Sequence, residues 1–383
     1  MSPTETSKSS RFSIPEWTTV APIIAAVCLV LVWGRVPNTL LVIVIAVVLG
    51  AAVIGSVHHA EIVASRVGEP YGSLVLAVAV TIIEVALIVT LMIAGKSDTS
   101  TLARDTVFAA AMITLNGIVG LSLWVGARRN GVALFNAEGA GAALATVASL
   151  AGLTLVLPTF TTSSPGPVFT PGQLAFAAVA SLALYTMYVL TQTGRNRDFF
   201  VPVELTSSGR KRKRDAQGEP IAKEVDEHAR PTARAAWISL ALLIVSLIAV
   251  VGLAKVESPA IEAAVASVGF PPSFVGVIIA LLVLRPESLA AVRAARGDLG
   301  QTSLNLAYGA AMASIGLTIP TIAIASIWLS GPLVLGLGST QMVLLTLTVI
   351  VGALTVVTGR ATRLQGGVHL ILFASFLFLS IYP

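Results

Sequence analysis

The chain has 383 residues, 55% of them hydrophobic and 11% charged, with a mean hydropathy of +0.89 and a formal net charge of +5. A soluble protein carries roughly a quarter charged residues, so this composition excludes an ordinary soluble enzyme or binding module. A soluble α/β fold with buried strands needs apolar runs of only ~4–8 residues, whereas the runs here approach the ~20 of a membrane-spanning helix.

In chain order, residues 1–16 (MSPTETSKSSRFSIPE) are polar and read as a disordered N-terminus. The apolar stretch 17–33 has no A-x-A-like exit and reads as a retained, extra N-terminal helix rather than a cleaved signal. It holds Cys28, the single cysteine, so no disulfide or thiolate metal cluster forms within one chain, and packing is its default role. Segments 38–57, 72–95, 106–126, 139–158 and 172–192 follow and make a first half over 38–192. A hydrophilic loop, 193–234, carries RKRKR (Arg210 to Arg214) and then KEVDE (Lys223 to Glu227). It reads as a solvated loop that helps set topology; nucleic-acid or anionic-lipid binding by the basic run and cation collection by the acidic one are its other readings, and no nucleic-acid partner is expected. Segments 235–254, 272–292, 303–328, 332–357 and 364–381 form a second half over 235–383. The expected fold is an all-α polytopic membrane protein with about 11 transmembrane helices.

Lys and Arg set the expected orientation. The side holding the N-terminus and the long loop carries 19 basic residues, the other side 4 (Arg35, Lys96, Arg104 and Lys255). The N-terminus and the loop are therefore expected in the cytoplasm of a bacterial inner membrane, and the C-terminus outside.

A repeat crosses the loop. ARDTVFAAAMITLNG (Ala103 to Gly117) aligns with LNLAYGAAMASIGLT (Leu304 to Thr318), pairing Phe108 with Tyr308, Met112 with Met312 and Thr114 with Ser314. Each copy follows an apolar segment with one glutamate, Glu84 or Glu287. Five spans separate the copies, and an odd separation reverses direction through the bilayer. The expectation is two inverted five-helix repeats plus the extra N-terminal helix, an arrangement that places ion sites at the midplane.

An intramembrane carboxylate costs roughly 2.5–3.5 kcal/mol on insertion scales, so two at equivalent positions need compensation. Arg285 is near Glu287 in sequence, but two residues along a helix it lies on nearly the opposite face. A structural ion pair to another span is one reading. The other is a shared cavity in which cations or protons neutralise Glu84 and Glu287, the candidate metal and proton ligands. Hard cations take oxygen ligands, and Thr81, Thr114, Asn116, Ser314 and Thr318 lie within reach of this pattern, although a lone Ser or Thr in a span more often bonds its own backbone. Pro286 removes an amide and frees the Leu282 carbonyl, which serves either packing or a broken helix that presents carbonyls to cations. The small residues AAAM (Ala109 to Met112) and GAAMAS (Gly309 to Ser314) permit close helix approach.

On these residues the chain resembles the calcium/cation antiporter superfamily, most of all the ChaA-type bacterial sodium (potassium)- and calcium/proton antiporters. The stretches that carry the resemblance are VHHAEIVASRVGEPYGSLVLAVAVTIIEVALI, STLARDTVFAAAMITLNGIVGL, and VLRPESLAAVRAA followed by NLAYGAAMASIGLTIP. The resemblance implies that Glu84 and Glu287 are the exchanging carboxylates and that Asn116 lines the first repeat. The superfamily usually has Gly-Asn three to four residues before each glutamate; here the positions read Val80-Thr81 and Val283-Leu284, which leaves the cation open among Ca²⁺, Na⁺ and K⁺. The expected function is cation export against inward protons by alternating access, with inorganic cations, protons and the lipid bilayer as partners and no cofactor. A channel or uniporter using the same carboxylates is the alternative. An intramembrane enzyme is the third reading, but no HExxH, GxSxG or Asp/His cluster occurs, and His58 and His59 sit at a span end expected to face the cytoplasmic interface.

Overall fold

The computed structural model describes residues 17–35, 38–67, 71–94, 99–201, 231–328 and 331–383. The expected disordered N-terminus and the RKRKR and KEVDE runs lie outside the described residues. Helices α1 (Trp17–Val32), α2 (Thr39–Val67) and α3 (Tyr71–Ala94) come first. Helix α4 (Leu102–Met112) runs through a π segment, Ile113–Ile118, into α5 (Val119–Asn130). Strand β1 (Val132–Leu134) precedes α6 (Ala137–Ala151), a second π segment (Gly152–Val156) and a single turn, α7 (Leu157–Phe160). Helix α8 (Pro171–Thr193) ends the first half. The second half holds α9 (Ala233–Ser267), α10 (Phe274–Val283), α11 (Arg285–Arg296), α12 (Gly300–Ala325), α13 (Ser339–Val356), strand β2 (Arg360–Thr362) and α14 (Arg363–Ile381).

Local chemistry starts these helices where they start. Asn136 Oδ1 accepts the Glu138 and Gly139 amides at the head of α6. Thr170 and Gln173 form a reciprocal capping box before α8, with Pro171 at its first position, where a missing N–H costs nothing. Among the described residues eight helices are long and apolar enough to cross a membrane, or nine if α10 and α11, bent by 55°, are one broken span. The apolar parts of α1 and α3, Trp17–Val32 and Val78–Ile93, are shorter. The all-α expectation needs one amendment. β1 and β2 pair antiparallel, Val132 opposite Thr362 and Leu134 opposite Arg360. Close packing of α5 on α14 brings these two loops together, and their backbone polar groups satisfy one another.

Burial orders the helices. In the continuous α4–α5 span, 94% of the most apolar stretch is buried, against 22% in α8 and 17% in α14. The α4–α5 span is the central post, and α8 and α14 line the lipid. Large apolar side chains that are mostly exposed, such as Phe176 and Leu190 on α8 and Ile371 on α14, lie on these outward faces, where hydrocarbon rather than water is the solvent. The core itself falls into two parts. One surrounds α4, α5, α6, α12 and α13, and the other joins α1, α2, α3, α9 and α10. Within the second, Ser56 Oγ donates to Ser246 Oγ at 2.7 Å, and both hydroxyls lie 2.8–2.9 Å from the Ala52 carbonyl, pinning α2 to α9. His59 is turned inward rather than to the interface: it is buried, and its Nε2 lies 3.1 Å from the Thr18 carbonyl on α1.

Candidate ion-binding site

Glu84 sits near the middle of α3, only 3% exposed. Its Oε1 accepts a 2.6 Å hydrogen bond from Ser314 Oγ on α12. Small residues make that approach possible: α12 presents Ala310, Ala311 and Ala313 around Met312, and α3 packs directly on this helix. Thr318, one turn beyond Ser314, also faces the Glu84 carboxylate, and its fully buried hydroxyl makes no well-formed hydrogen bond. Thr81 is buried one turn before Glu84 on the same helix.

Glu287 arrives from the other half of the chain. Helices α10 and α11 meet at a 55° bend, and Glu287 lies in the first turn of α11 immediately beyond it. Its position in the sequence explains the break. Pro286 has no N–H, so the Leu282 carbonyl gets no partner from that position, while Leu284 N still closes on Ala280 O at 3.0 Å. Glu287 bonds its own backbone N–H, and its buried Oε2 has no partner. An acidic group at a helix N-terminus is favoured by the free amides there. Glu61, on α2, and Glu84 both bear on Glu287 as like charges. His58 and Arg293 offset only part of the cost of burying Glu61. Among the described residues no basic side chain acts on Glu84 or Glu287, and Arg285 is exposed. The site thus has two unpaired carboxylates, one on each half, with the Ser314 and Thr318 hydroxyls beside the first. No group of three or more His, Cys, Asp or Glu is placed to hold a metal among the described residues, so a hard cation here would complete its shell with hydroxyl, carbonyl or water oxygens.

Other expected oxygen donors are engaged elsewhere. Thr114 Oγ1 bonds its own helix, at 2.8 Å from Ala110 O and 3.0 Å from Ala111 O. Asn116 lies in the π segment, donates through Nδ2 to Thr348 Oγ1 at 2.8 Å, and offers Oδ1 to His369 Nδ1 at 3.2 Å. His369 Nε2 lies 3.3 Å from Thr355 Oγ1. Thr348, Thr355 and His369 escaped the sequence reading because α13 and α14 lie outside the aligned repeat segments. The signal was present: a histidine inside the apolar run 364–381 is as anomalous as a glutamate.

The family model described as sodium/calcium exchanger protein matches residues 37–194 and 238–382. The chain belongs to the sodium/calcium exchanger family. The two matched blocks of this exchanger coincide with its two halves and skip the central loop. The exchanger is 33% identical over 367 residues, 94% of its own length and 95% of the relative's, to the sodium-potassium/proton antiporter ChaA of Escherichia coli K12. It is 42% identical over 373 residues, 97% of both chains, to the y4hA protein of Sinorhizobium fredii, which is named for ionic transport. Its fold is that of native YfkE (TM-score 0.67, 14% identity, 96% of this chain and 99% of that one). It is also that of the H⁺/Ca²⁺ exchanger CAX (TM-score 0.64, 14% identity, 94% and 86%). The exchanger is a multi-pass membrane protein and a cation antiporter by family.

The Ser314 hydrogen bond gives a direct handle on the candidate site. Removing the hydroxyl in Ser314→Ala leaves Glu84 Oε1 without its partner, and a hydrogen bond to a charged group is worth about 1.5–3 kcal/mol. Apparent cation affinity is expected to shift about tenfold or more, read as the half-saturating concentration in a vesicle flux assay. Ser314→Thr, which keeps the hydroxyl, is expected to stay within about threefold of the wild type.

Proposed function

We propose that this exchanger is a cation/proton antiporter that exports Ca²⁺, Na⁺ or K⁺ in exchange for H⁺ across the bacterial cytoplasmic membrane, by alternating access at Glu84 and Glu287. The observation that carries the reading is the meeting of two unpaired carboxylates from opposite halves of the chain, one held by Ser314 and the other at the break between α10 and α11. Such a pair must be neutralised to lie inside a membrane. Two protons or one Ca²⁺ balance it; one Na⁺ or K⁺ balances it only with a proton on the other carboxylate. Cation and proton therefore compete for the same charge, which is the requirement for coupled exchange. The name of the Escherichia coli relative supports Na⁺ and K⁺ as cargo, and that of the CAX structure supports Ca²⁺.

The layout proposed with this mechanism has eleven crossings: α1, α2, α3, α4–α5, α6–α7, α8, α9, α10–α11, α12, α13 and α14. The crossings from α2 to α8 and from α9 to α14 form inverted repeats, α1 is the extra helix, the N-terminus is cytoplasmic and the C-terminus outside. The Glu84 and Glu287 pairing and the charge bias of the loops support it.

Purified protein in proteoliposomes with a pH-sensitive dye inside tests the function. Addition of Ca²⁺, Na⁺ or K⁺ is expected to drive protons the opposite way for at least one of them. Cation flux with no opposing proton movement would replace the antiporter with a channel or uniporter.

A further inference from the structure

Two spans beside the candidate site are irregular, one by a π turn and the other by a break, and the two irregularities lie next to each other. The π segment 113–118 divides α4 from α5, and the 55° bend divides α10 from α11. Packing follows the halves. Helix α4 lies on α10, with Gly276 against the Thr106 backbone, whereas α5 lies on α11 and α14. The π segment touches α11 and α12, the helices that carry Glu287 and Ser314. A π turn inserts a residue into the helical ladder and occurs mostly as a single turn at functional sites. Buried as this one is, its displaced backbone groups have no water to turn to.

His369 reaches the π segment through the Asn116 side chain. Its Nδ1 faces Asn116 Oδ1 at 3.2 Å, and its Nε2 faces Thr355 Oγ1 at 3.3 Å. The direction of these bonds follows from the neighbours. Asn116 Nδ2 donates to Thr348 Oγ1, and the Thr348 hydroxyl is itself 2.8 Å from Leu344 O, so Asn116 Oδ1 is the acceptor and His369 carries its proton on Nδ1. Nε2 is then an acceptor that shares the Thr355 hydroxyl proton with Val351 O, which lies closer at 2.8 Å. Asn116, Thr348, Thr355 and His369 are all at most 3% exposed. Gly120 lets the ring come in: a Cβ there would lie 2.9 Å from His369 Cβ.

We propose that His369 is a positioning residue for ion exchange, latching the π segment so that the α4–α10 pair and the α5–α11–α14 group turn about a shared hinge beside Glu287. The latch rests on the antiporter reading for its consequence in transport, but not for its structure. Held, it fixes α11 and α12 against the π turn. Its role is in the rate of the conformational step and not in the grip on the cation, because no atom of the network reaches Glu84 or Glu287.

The test compares His369→Phe, which keeps a ring and deletes its polar atoms, with His369→Gln, which restores a donor and an acceptor. In proteoliposomes the Phe variant is expected to lose at least about fivefold in maximal exchange rate with the half-saturating cation concentration within twofold of wild type. The Gln variant is expected to recover half or more of the rate. Hydrogen–deuterium exchange of the amides at 113–119 is expected to be faster in the Phe variant. A wild-type rate in His369→Phe, a raised half-saturating concentration at full rate, or unchanged amide exchange would each overturn the latch. If the Phe variant fails to insert, Thr355→Val removes the Nε2 partner together with a hydroxyl that also bonds Val351 O within its own helix; a rate loss of about twofold supports the latch, and an unchanged rate overturns it. Should the wild type exchange no cation at all, the antiporter reading fails, while the amide exchange still decides whether His369 holds the π turn.

Discussion

Glu84→Gln and Glu287→Gln are each expected to reduce cation-driven proton movement by at least about a hundredfold without loss of stability. The combination is what matters. Gln has nearly the shape of Glu and keeps an oxygen for the Ser314 hydroxyl, so packing on α12 survives. It removes a charge that has no basic partner, and an uncompensated buried charge weighs against the folded state. A carboxylate held only for structure would be improved or unchanged by this exchange in both assays. A carboxylate that cations and protons compete for would lose a charged ligand worth about 3 kcal/mol, close to a hundredfold. Dye fluorescence in everted vesicles reads the first effect and the unfolding temperature in detergent reads the second. Exchange above a tenth of wild type in both variants would remove these residues from the site.

Gly276→Val is expected to disable the protein by a different route. A Cβ at Gly276 would lie 2.8 Å from Thr106 N and 2.9 Å from Asp105 C. Both are backbone atoms of α4, which cannot rotate away as a side chain does. Helix α10 must back off, and overpacking of this kind costs about 1–3 kcal/mol. The displacement also moves the bend that sets Glu287, so exchange is expected to fall about tenfold or more together with a lower unfolding temperature. Gly141→Ala is the control. Gly141 lies in α6 with nothing within 4 Å of a new Cβ, and a helix interior gains up to about 1 kcal/mol from Ala over Gly, so that variant is expected to transport normally. A Gly276→Val protein as stable and active as wild type would mean that α4 and α10 are not in firm contact.

Hydropathy located the helices well but misjudged where some of them end. The apolar segment 235–254 stops short of Lys255 and Glu257, yet α9 continues through them to Ser267. The structure shows why the charges do not stop it: Lys255 Nζ lies 5.5 Å from the Trp33 ring centroid, and Glu257 is buried. Helix α2 likewise passes through His58, His59 and Glu61 to Val67, since His59 bonds α1. The site was legible to the extent that the repeat made it so. Two glutamates at matching positions announced a relation between α3 and α11, and Ser314 and Thr318 fell on the helix that meets Glu84. Asn116 stands out in the sequence as a polar residue within a span, but a side chain's partner is a property of three dimensions, and Thr348 and His369 lie 232 and 253 residues away from it. Glu61 lies outside the repeat segments, and only the fold brings its charge to bear on Glu287.

The central position of the α4–α5 span has a consequence for how the protein is made. Its buried flanks are covered chiefly by α10, α11, α12 and α14, all of which are translated long after it. At about 5–20 residues per second, the 253 residues between Asn116 and His369 take between about 10 and 50 s to appear. For that interval a helix bearing Asn116, Thr114 and the π turn must wait in the membrane with neither His369 nor Thr348 to meet it. Assembly of this protein is therefore completed late, because its innermost helix depends on the last to be synthesised.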